Sequence, residues 1–255
     1  MFDKVYVVPE FKSKFSNKEL NELLDFSVLK KQDLLIKKSR FVNCAVAHFL
    51  FGSYFFKQVV SRNNINLISR LIRPSRPFHN LIISNRLLKN GIPTPKIVAI
   101  SRQIVSGLNL SDYLVSEAFP KEAEADFWVP KMINNGELNL MIQKLCLLLF
   151  KMAQIGIEHS DLKLGNIFKL PTENKFGYTF GVFDLDGCKS WWPASVPTIR
   201  LNKCLAKQIS SLRAYAVTHN LKIPNKSELV KLWVKTYNEI SNTQINHKII
   251  ENITE

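Results

Sequence analysis

Between Asp33 and Asp112 the chain has no acidic residue at all, while Lys37, Lys38, Arg40, Lys57, Arg62, Arg70, Arg73, Arg76, Arg86, Lys89, Lys96 and Arg102 fall in that interval. A segment with charge of one sign points toward anionic partners: nucleic acid, an acidic membrane surface or a phosphorylated substrate. Cysteine is scarce as well. Cys44, Cys146, Cys188 and Cys204 are the only four, and none is close enough to another in sequence to form a zinc ligand pair. Free buried thiols in a reducing compartment are expected. Long apolar runs are missing: the longest, 44–56 and 145–150, are too short to cross a bilayer. The N-terminal residues lack a basic stretch followed by an apolar one, so no secretory signal is read there. No internal repeat or low-complexity tract is found. The protein is expected to be cytoplasmic, or peripheral on a membrane from that side.

What is present is enough for a folded core. The 255 residues are 46% hydrophobic and 11% aromatic, with a net charge of +14, which excludes a disordered chain. The length suits one large domain or two lobes around a cleft. Stretches 34–40 and 41–60 read as strands with a turn at Gly52-Ser53. Residues 78–90 have near-helical apolar spacing, with Gly91 as a stop. Pro93 and Pro95 enforce an extended link, and 96–103 and 113–119 read as strands. In 138–157, Leu138, Met141, Leu145, Leu148, Met152 and Ile155 recur every three or four residues, the clearest helix of the chain. Short strands are expected at 167–170 and 178–183, and helices at 202–220 and 227–240. Strands early and helices late argue for an α+β fold, with residues 1–116 as a strand-rich N-lobe carrying one helix and 117–255 as a helical C-lobe.

The chemistry is concentrated directly after the strong helix, in Ile157-Glu158-His159-Ser160-Asp161-Leu162-Lys163-Leu164-Gly165-Asn166-Ile167-Phe168. Asp161 and Asn166 are five residues apart, the spacing of a protein-kinase catalytic loop. Eighteen residues beyond Asn166, an apolar strand ends in Asp184 and Asp186. Phosphoryl transfer places growing charge on phosphoryl oxygens, which magnesium neutralises. Magnesium takes hard oxygen ligands, and the Asn166 amide and Asp184 carboxylate are of that kind. Asp161 is then free to orient an acceptor hydroxyl and take its proton, with Lys163 a fixed positive charge beside the transferred phosphate. Lys57, following an apolar strand, is the candidate for holding the nucleotide phosphates. The stretch 113–119 has the form of a hinge, whose backbone at Glu117 and Phe119 would meet adenine.

Four segments carry a resemblance: Asn90-Gly91-Ile92-Pro93-Thr94-Pro95, residues 113–119, Gly156 to Ile167, and Phe183-Asp184-Leu185-Asp186-Gly187. Together they resemble the bacterial lipopolysaccharide-core kinases, which act on 3-deoxy-manno-octulosonic acid (Kdo) or on core heptose, over roughly residues 30–215. The resemblance implies a bilobal protein-kinase-like fold, ATP and Mg2+, and a lipid-linked saccharide acceptor at the cytoplasmic face of the inner membrane. The basic balance suits that anionic surface and its phosphorylated lipid. Trp191-Trp192 is read either as an interfacial pair or as C-lobe packing.

The sequence departs from the protein-kinase pattern in three places. The predicted helix 78–90 has no acidic residue to pair with Lys57, and Asn85 is the polar residue available. Lys37-Lys38-Ser39-Arg40-Phe41-Val42-Asn43 stands where a glycine-rich phosphate loop is expected. Ser160 replaces the arginine that meets an activation-loop phosphate in regulated protein kinases, which favours a small-molecule or lipid acceptor. A phosphotransferase acting on a protein or small molecule, and a catalytically silent kinase-fold scaffold, stay open beside the saccharide kinase. Nucleic acid is not expected as a partner, since no reading motif accompanies the charge.

Overall fold

A computed structural model of the chain describes residues 5–31, 34–39, 41–60, 75–106, 109–172, 177–191 and 193–253. The chain divides into two compact units, Met1–Asn85 with Pro95–Phe119, and Arg86–Thr94 with Pro120–Glu255.

The first unit is built on six strands: β1 (Val5–Val7), β2 (Leu35–Lys38), β3 (Val42–Phe49), β4 (Gly52–Val60), β5 (Ile97–Ser106) and β6 (Asn109–Glu117). They form one antiparallel sheet in the order β1-β5-β6-β4-β3-β2. The β3–β4 hairpin turns one step earlier than the sequence suggests. Phe49 pairs with Gly52, so Leu50 and Phe51 make the turn and Gly52, at φ +144°, opens the strand. Alternation along β4 gives the sheet two faces. Tyr54 and Phe56 join Ala45, Ala47, Val98, Val115 and Tyr113 in one apolar cluster. That cluster is closed by Phe11, Phe15, Leu23, Val28 and Leu29, from α1 (Pro9–Lys14), α2 (Asn17–Leu23) and the 3-10 turn Phe26–Lys30.

The two N-terminal helices are an addition to the single helix expected in this half. Each is under eight residues, too short for a period to show. The local signals are nevertheless there: Pro9 at the first turn, and a capping box in which Ser16 Oγ accepts from the Glu19 N–H while Glu19 accepts from the Ser16 N–H. The other face of the sheet carries Ile97, Ile100 and Leu114, packed with Leu81 of α3 (Arg76–Lys89).

The second unit is mainly helical. Its helices are α4 (Ala125–Asn134), α5 (Leu138–Gln154), α6 (Thr198–Thr218), α7 (Lys226–Ser241) and α8 (His247–Ile253). α5 buries Met141, Ile142, Leu145, Cys146, Leu148, Leu149, Met152 and Ala153 and packs on α7. There Trp233 and Tyr237 are among the largest fully buried side chains of the described residues. The helix ends at Gln154, and Gly156 at φ +66° turns the chain into β7 (Ile157–His159). Ile157 therefore belongs to the strand rather than to the helix. α4 was not among the expected helices; Pro130 lies inside it, and although proline removes one helix hydrogen bond, burial of Trp128, Val129 and Met132 compensates. Two small two-stranded antiparallel sheets hold the remainder: β7 with β10 (Cys188–Ser190), and the hairpin of β8 (Ile167–Pro171) with β9 (Tyr178–Val182).

Candidate active site

The catalytic-loop sequence emerges from β7 and is fixed on three sides within the second unit. On the first side is the segment 183–187. Ser160 donates to the Gly187 carbonyl twice, from its backbone N at 3.0 Å and from Oγ at 2.8 Å. The residue that stands in place of a phosphate-reading arginine thus ties the loop to the Asp184 segment.

On the second side is the hairpin of β8 and β9. Ile167 pairs with Val182, and one step on the Phe183 N–H donates to the Asn166 carbonyl at 3.1 Å. This ladder puts Asn166 across from Phe183, one residue from Asp184. Gly181 makes the hairpin possible, since a Cβ there would stand 2.3 Å from Phe168 and 2.4 Å from the Pro93 carbonyl.

On the third side is α6. Cys204 Sγ donates to the His159 carbonyl at 3.5 Å, Lys207 Nζ meets Asp161 Oδ1 at 3.2 Å, and Ser211 Oγ accepts the Leu164 N–H at 3.0 Å. Positions 204, 207 and 211 share one helix face, so a single stripe of α6 lines the loop.

Asp161 stands at the centre. Its Oδ2 accepts from Asn166 Nδ2 at 3.1 Å and from Lys163 Nζ at 3.0 Å, and its Oδ1 faces Lys207. Partial burial pushes its carboxyl up, but hydrogen bonds and charge from Lys163 and Lys207 outweigh burial and hold it below the ordinary carboxylate value. A carboxylate so held is ionised and aimed, as a proton acceptor must be.

Asn166 is buried and its amide nitrogen is doubly committed, donating also to the Asp161 carbonyl at 2.9 Å. Its Oδ1 accepts no hydrogen bond among the described residues and is left for another partner. Asp184 is exposed and sits at φ 55°, ψ 59°, left-handed backbone unusual outside glycine. Such strain is typical of positions whose side-chain aim matters. An amide oxygen and a carboxylate on adjacent loops are hard donors that fit magnesium, which completes its shell with water and phosphate oxygens. Among the described residues no group of three His, Cys, Asp or Glu offers a site to a softer metal.

His159 supports the loop from beneath. Burial pushes its ring toward the neutral form, opposed by the Phe183 carbonyl and the nearby Asp184 and Asp161 charges. Its Nε2–H donates to that carbonyl at 3.1 Å, which leaves Nδ1 unprotonated and, among the described residues, without a partner. Glu158, also buried, accepts the Trp191 indole N–H at 2.8 Å and lies 3.9 Å from Arg200, whose guanidinium stands 6.0 Å from the Trp191 ring. Trp191 therefore packs within the second unit, and Trp192 lies outside the described residues.

The other sequence candidates belong to the first unit. Lys57 is on β4, paired across to Cys44 and Leu114, on the sheet face that α3 covers. Glu117 ends β6, its N–H bonded to the Lys96 carbonyl, and Phe119 closes the unit. Where a glycine-rich loop is expected, Ser39 Oγ accepts the Val42 N–H at 3.0 Å. Asn85 is exposed on α3, and no acidic residue is found on that helix. Sequence reasoning missed Lys207, Cys204, Ser211 and the Glu158–Arg200–Trp191 group. The one local signal was the polar i, i+3, i+7 row on α6.

The sequence model of the family described as "Lipopolysaccharide kinase (Kdo/WaaP) family" matches residues 36–220. No curated protein sequence matches the chain. Among solved structures, WaaP in complex with acyl carrier protein is similar at a TM-score of 0.59 and 15% identity, covering 92% of this chain and 89% of that one. The Rio2 kinase–ADP/Mg2+–phosphoaspartate complex from Chaetomium thermophilum is similar at a TM-score of 0.49 and 13% identity, with 94% and 75% covered. The α+β class expected from the order of strands and helices, and the protein-kinase-like fold implied by the resemblance, describe the fold that the chain has.

Proposed function

The chain belongs to the lipopolysaccharide kinase (Kdo/WaaP) family, and from that membership we propose that it transfers the γ-phosphate of ATP to a hydroxyl of Kdo or heptose in the lipopolysaccharide inner core or lipid A precursor. The observation that carries this reading is the Asp161 carboxylate, fixed by Asn166 and Lys163 and laid beside the Asp184 segment. Asp161 takes the proton of the acceptor hydroxyl as that oxygen bonds to phosphorus and the bond to ADP breaks. Lys163 adds positive charge where the phosphoryl oxygens gather. Asn166 Oδ1 and Asp184 would hold Mg2+, whose charge would offset that of the phosphates. Lys57 is assigned to the nucleotide phosphates and the Glu117 and Phe119 backbone to adenine.

No helix among the described residues is long and apolar enough to cross a membrane. We assign the protein to the cytoplasmic face of the inner membrane as a peripheral enzyme, held by its basic surface on anionic lipid. The absence of an acidic residue on α3 favours one other reading, a silent scaffold that binds nucleotide without turnover. The test is transfer from labelled ATP and Mg2+ to two acceptors, a Kdo-bearing lipid A precursor and a heptose-bearing core. Label on either one supports the saccharide kinase and names the sugar. Nucleotide binding with no label on these or on protein substrates would favour the scaffold.

A further inference from the structure

The two oxygens of Asp161 are not equivalent. Oδ2 is taken by Asn166 and Lys163, whereas Oδ1 faces only Lys207 Nζ, at 3.2 Å. Oδ1 therefore keeps the lone pair that an incoming hydroxyl can use. Lys163 already supplies a cation to this carboxylate, and a second one, which favours its ionised form further, makes it a weaker base. Lys207 is half exposed, at 48%, and its ammonium has three donors, of which Asp161 uses one. Lys203, one turn before it on the same helix face, is exposed and carries no ion pair among the described residues. The 21 residues of α6 include no Asp or Glu to neutralise either. Arg200 is engaged elsewhere, by Glu158 and Trp191. Lys207 thus stands beside the oxygen that receives the acceptor with donors to spare, and Lys203 lies one turn away on the same helix.

We propose that Lys207 and Lys203 form the binding site for an oxyanion carried by the acceptor sugar, a carboxylate or a phosphate close to the hydroxyl that is phosphorylated. This rests on the saccharide-kinase reading of the site. Lys207 bridges Asp161 Oδ1 and the oxyanion, which sets the neighbouring hydroxyl against the remaining lone pair of Oδ1. The site then selects acidic sugars over neutral ones of the same shape.

The test uses two pairs of probes with the full-length chain and a non-hydrolysable ATP analogue with Mg2+: free Kdo against its methyl ester, and a bisphosphorylated glucosamine disaccharide against the dephosphorylated one. Calorimetric titration should show the charged member of one pair bound about tenfold more tightly than the neutral one, as a charge-assisted bond gives. The pair that shows the difference identifies the anion. Lys207→Met should bring the two members within about twofold of each other and Lys207→Arg should keep most of the gap. Equal binding of both members in both pairs, binding of no probe, or a preference that survives in Lys207→Met would overturn the site. In turnover, Lys207→Met should raise KM for the charged acceptor. A fall in kcat alone, equal for charged and neutral acceptors, would make Lys207 a positioning residue for Asp161 and overturn the anion site. If the wild type transfers phosphate to no saccharide, the function reading fails, and the titration still decides whether the anion site exists.

Discussion

Replacing Gly181 by alanine adds one carbon where there is no room for it. The glycine has no unusual φ, so the backbone tolerates alanine and the cost is packing alone. The new Cβ would lie 2.3 Å from Phe168 Cζ, 2.7 Å from Cε2 and 2.4 Å from the Pro93 carbonyl oxygen. Apolar carbons rest about 3.5–4.0 Å apart, so both neighbours have to retreat by an ångström or more. Phe168 is fully buried, and the Pro93 carbonyl is held at 3.0 Å by the Val182 N–H. Overpacking costs about 1–3 kcal/mol and the displaced hydrogen bond about 1 more. The sum of about 2–4 kcal/mol corresponds to a Tm lowered by on the order of 10 °C in a chain of this length. Because Asp184 follows three residues later, transfer should fall with it. Gly165 is the control, exposed in the same catalytic loop with nothing within 4 Å of an added Cβ. Gly165→Ala should stay within about 0.5 kcal/mol of wild type. Thermal unfolding followed by circular dichroism measures both. A Gly181→Ala protein melting within a degree of wild type, or a Gly165→Ala protein losing as much, would refute the reasoning.

Removing the His159 ring by His159→Ala deletes the donor to the Phe183 carbonyl in a buried position and should cost about 1–3 kcal/mol; chemical denaturation that shows no loss would mean that this bond does not hold the two loops together. The Asp161 carboxyl is lower in the folded chain than in the unfolded one, so on acidification the unfolded chain takes up its proton first. Its contribution to stability is present above the ordinary carboxylate value of about 3.9 and is lost as pH falls below it through the folded value. Denaturation of wild type and Asp161→Asn between pH 7 and 3 should therefore give curves that converge toward the acid end; a constant gap across that range would contradict the Lys163 and Lys207 contacts.

The parts that were legible in sequence are those whose information is local. The period of α5 stands out because every third or fourth residue is apolar over five turns, and the Asp161–Asn166 spacing is a property of one short loop. Helix α4 was not among the expected helices; it holds Pro130, and the rule that proline breaks a helix is overridden here by the burial of Trp128 and Met132. The short helices α1 and α2 had caps to find but no period. Lys207 could not be connected to Asp161 from sequence, because their contact is made by the packing of α6 against the loop and not by any spacing along the chain. The same holds for Trp191, read as either interfacial or packed until its indole N–H was found on Glu158. Gly181 did carry a trace of its role, as an isolated glycine in an apolar strand marks a close backbone approach.

The central claim is that Asp161 works with Asn166 and Asp184 as a phosphotransfer site. The most direct measurement is transfer of labelled phosphate from ATP and Mg2+ to the Kdo-bearing lipid A precursor by wild type and by Asp161→Ala, with unfolding and nucleotide affinity measured on both. The account predicts label with wild type, a loss of at least about a hundredfold in the variant, as for other general bases, and nucleotide affinity retained. Label transferred equally by a folded Asp161→Ala protein would contradict it.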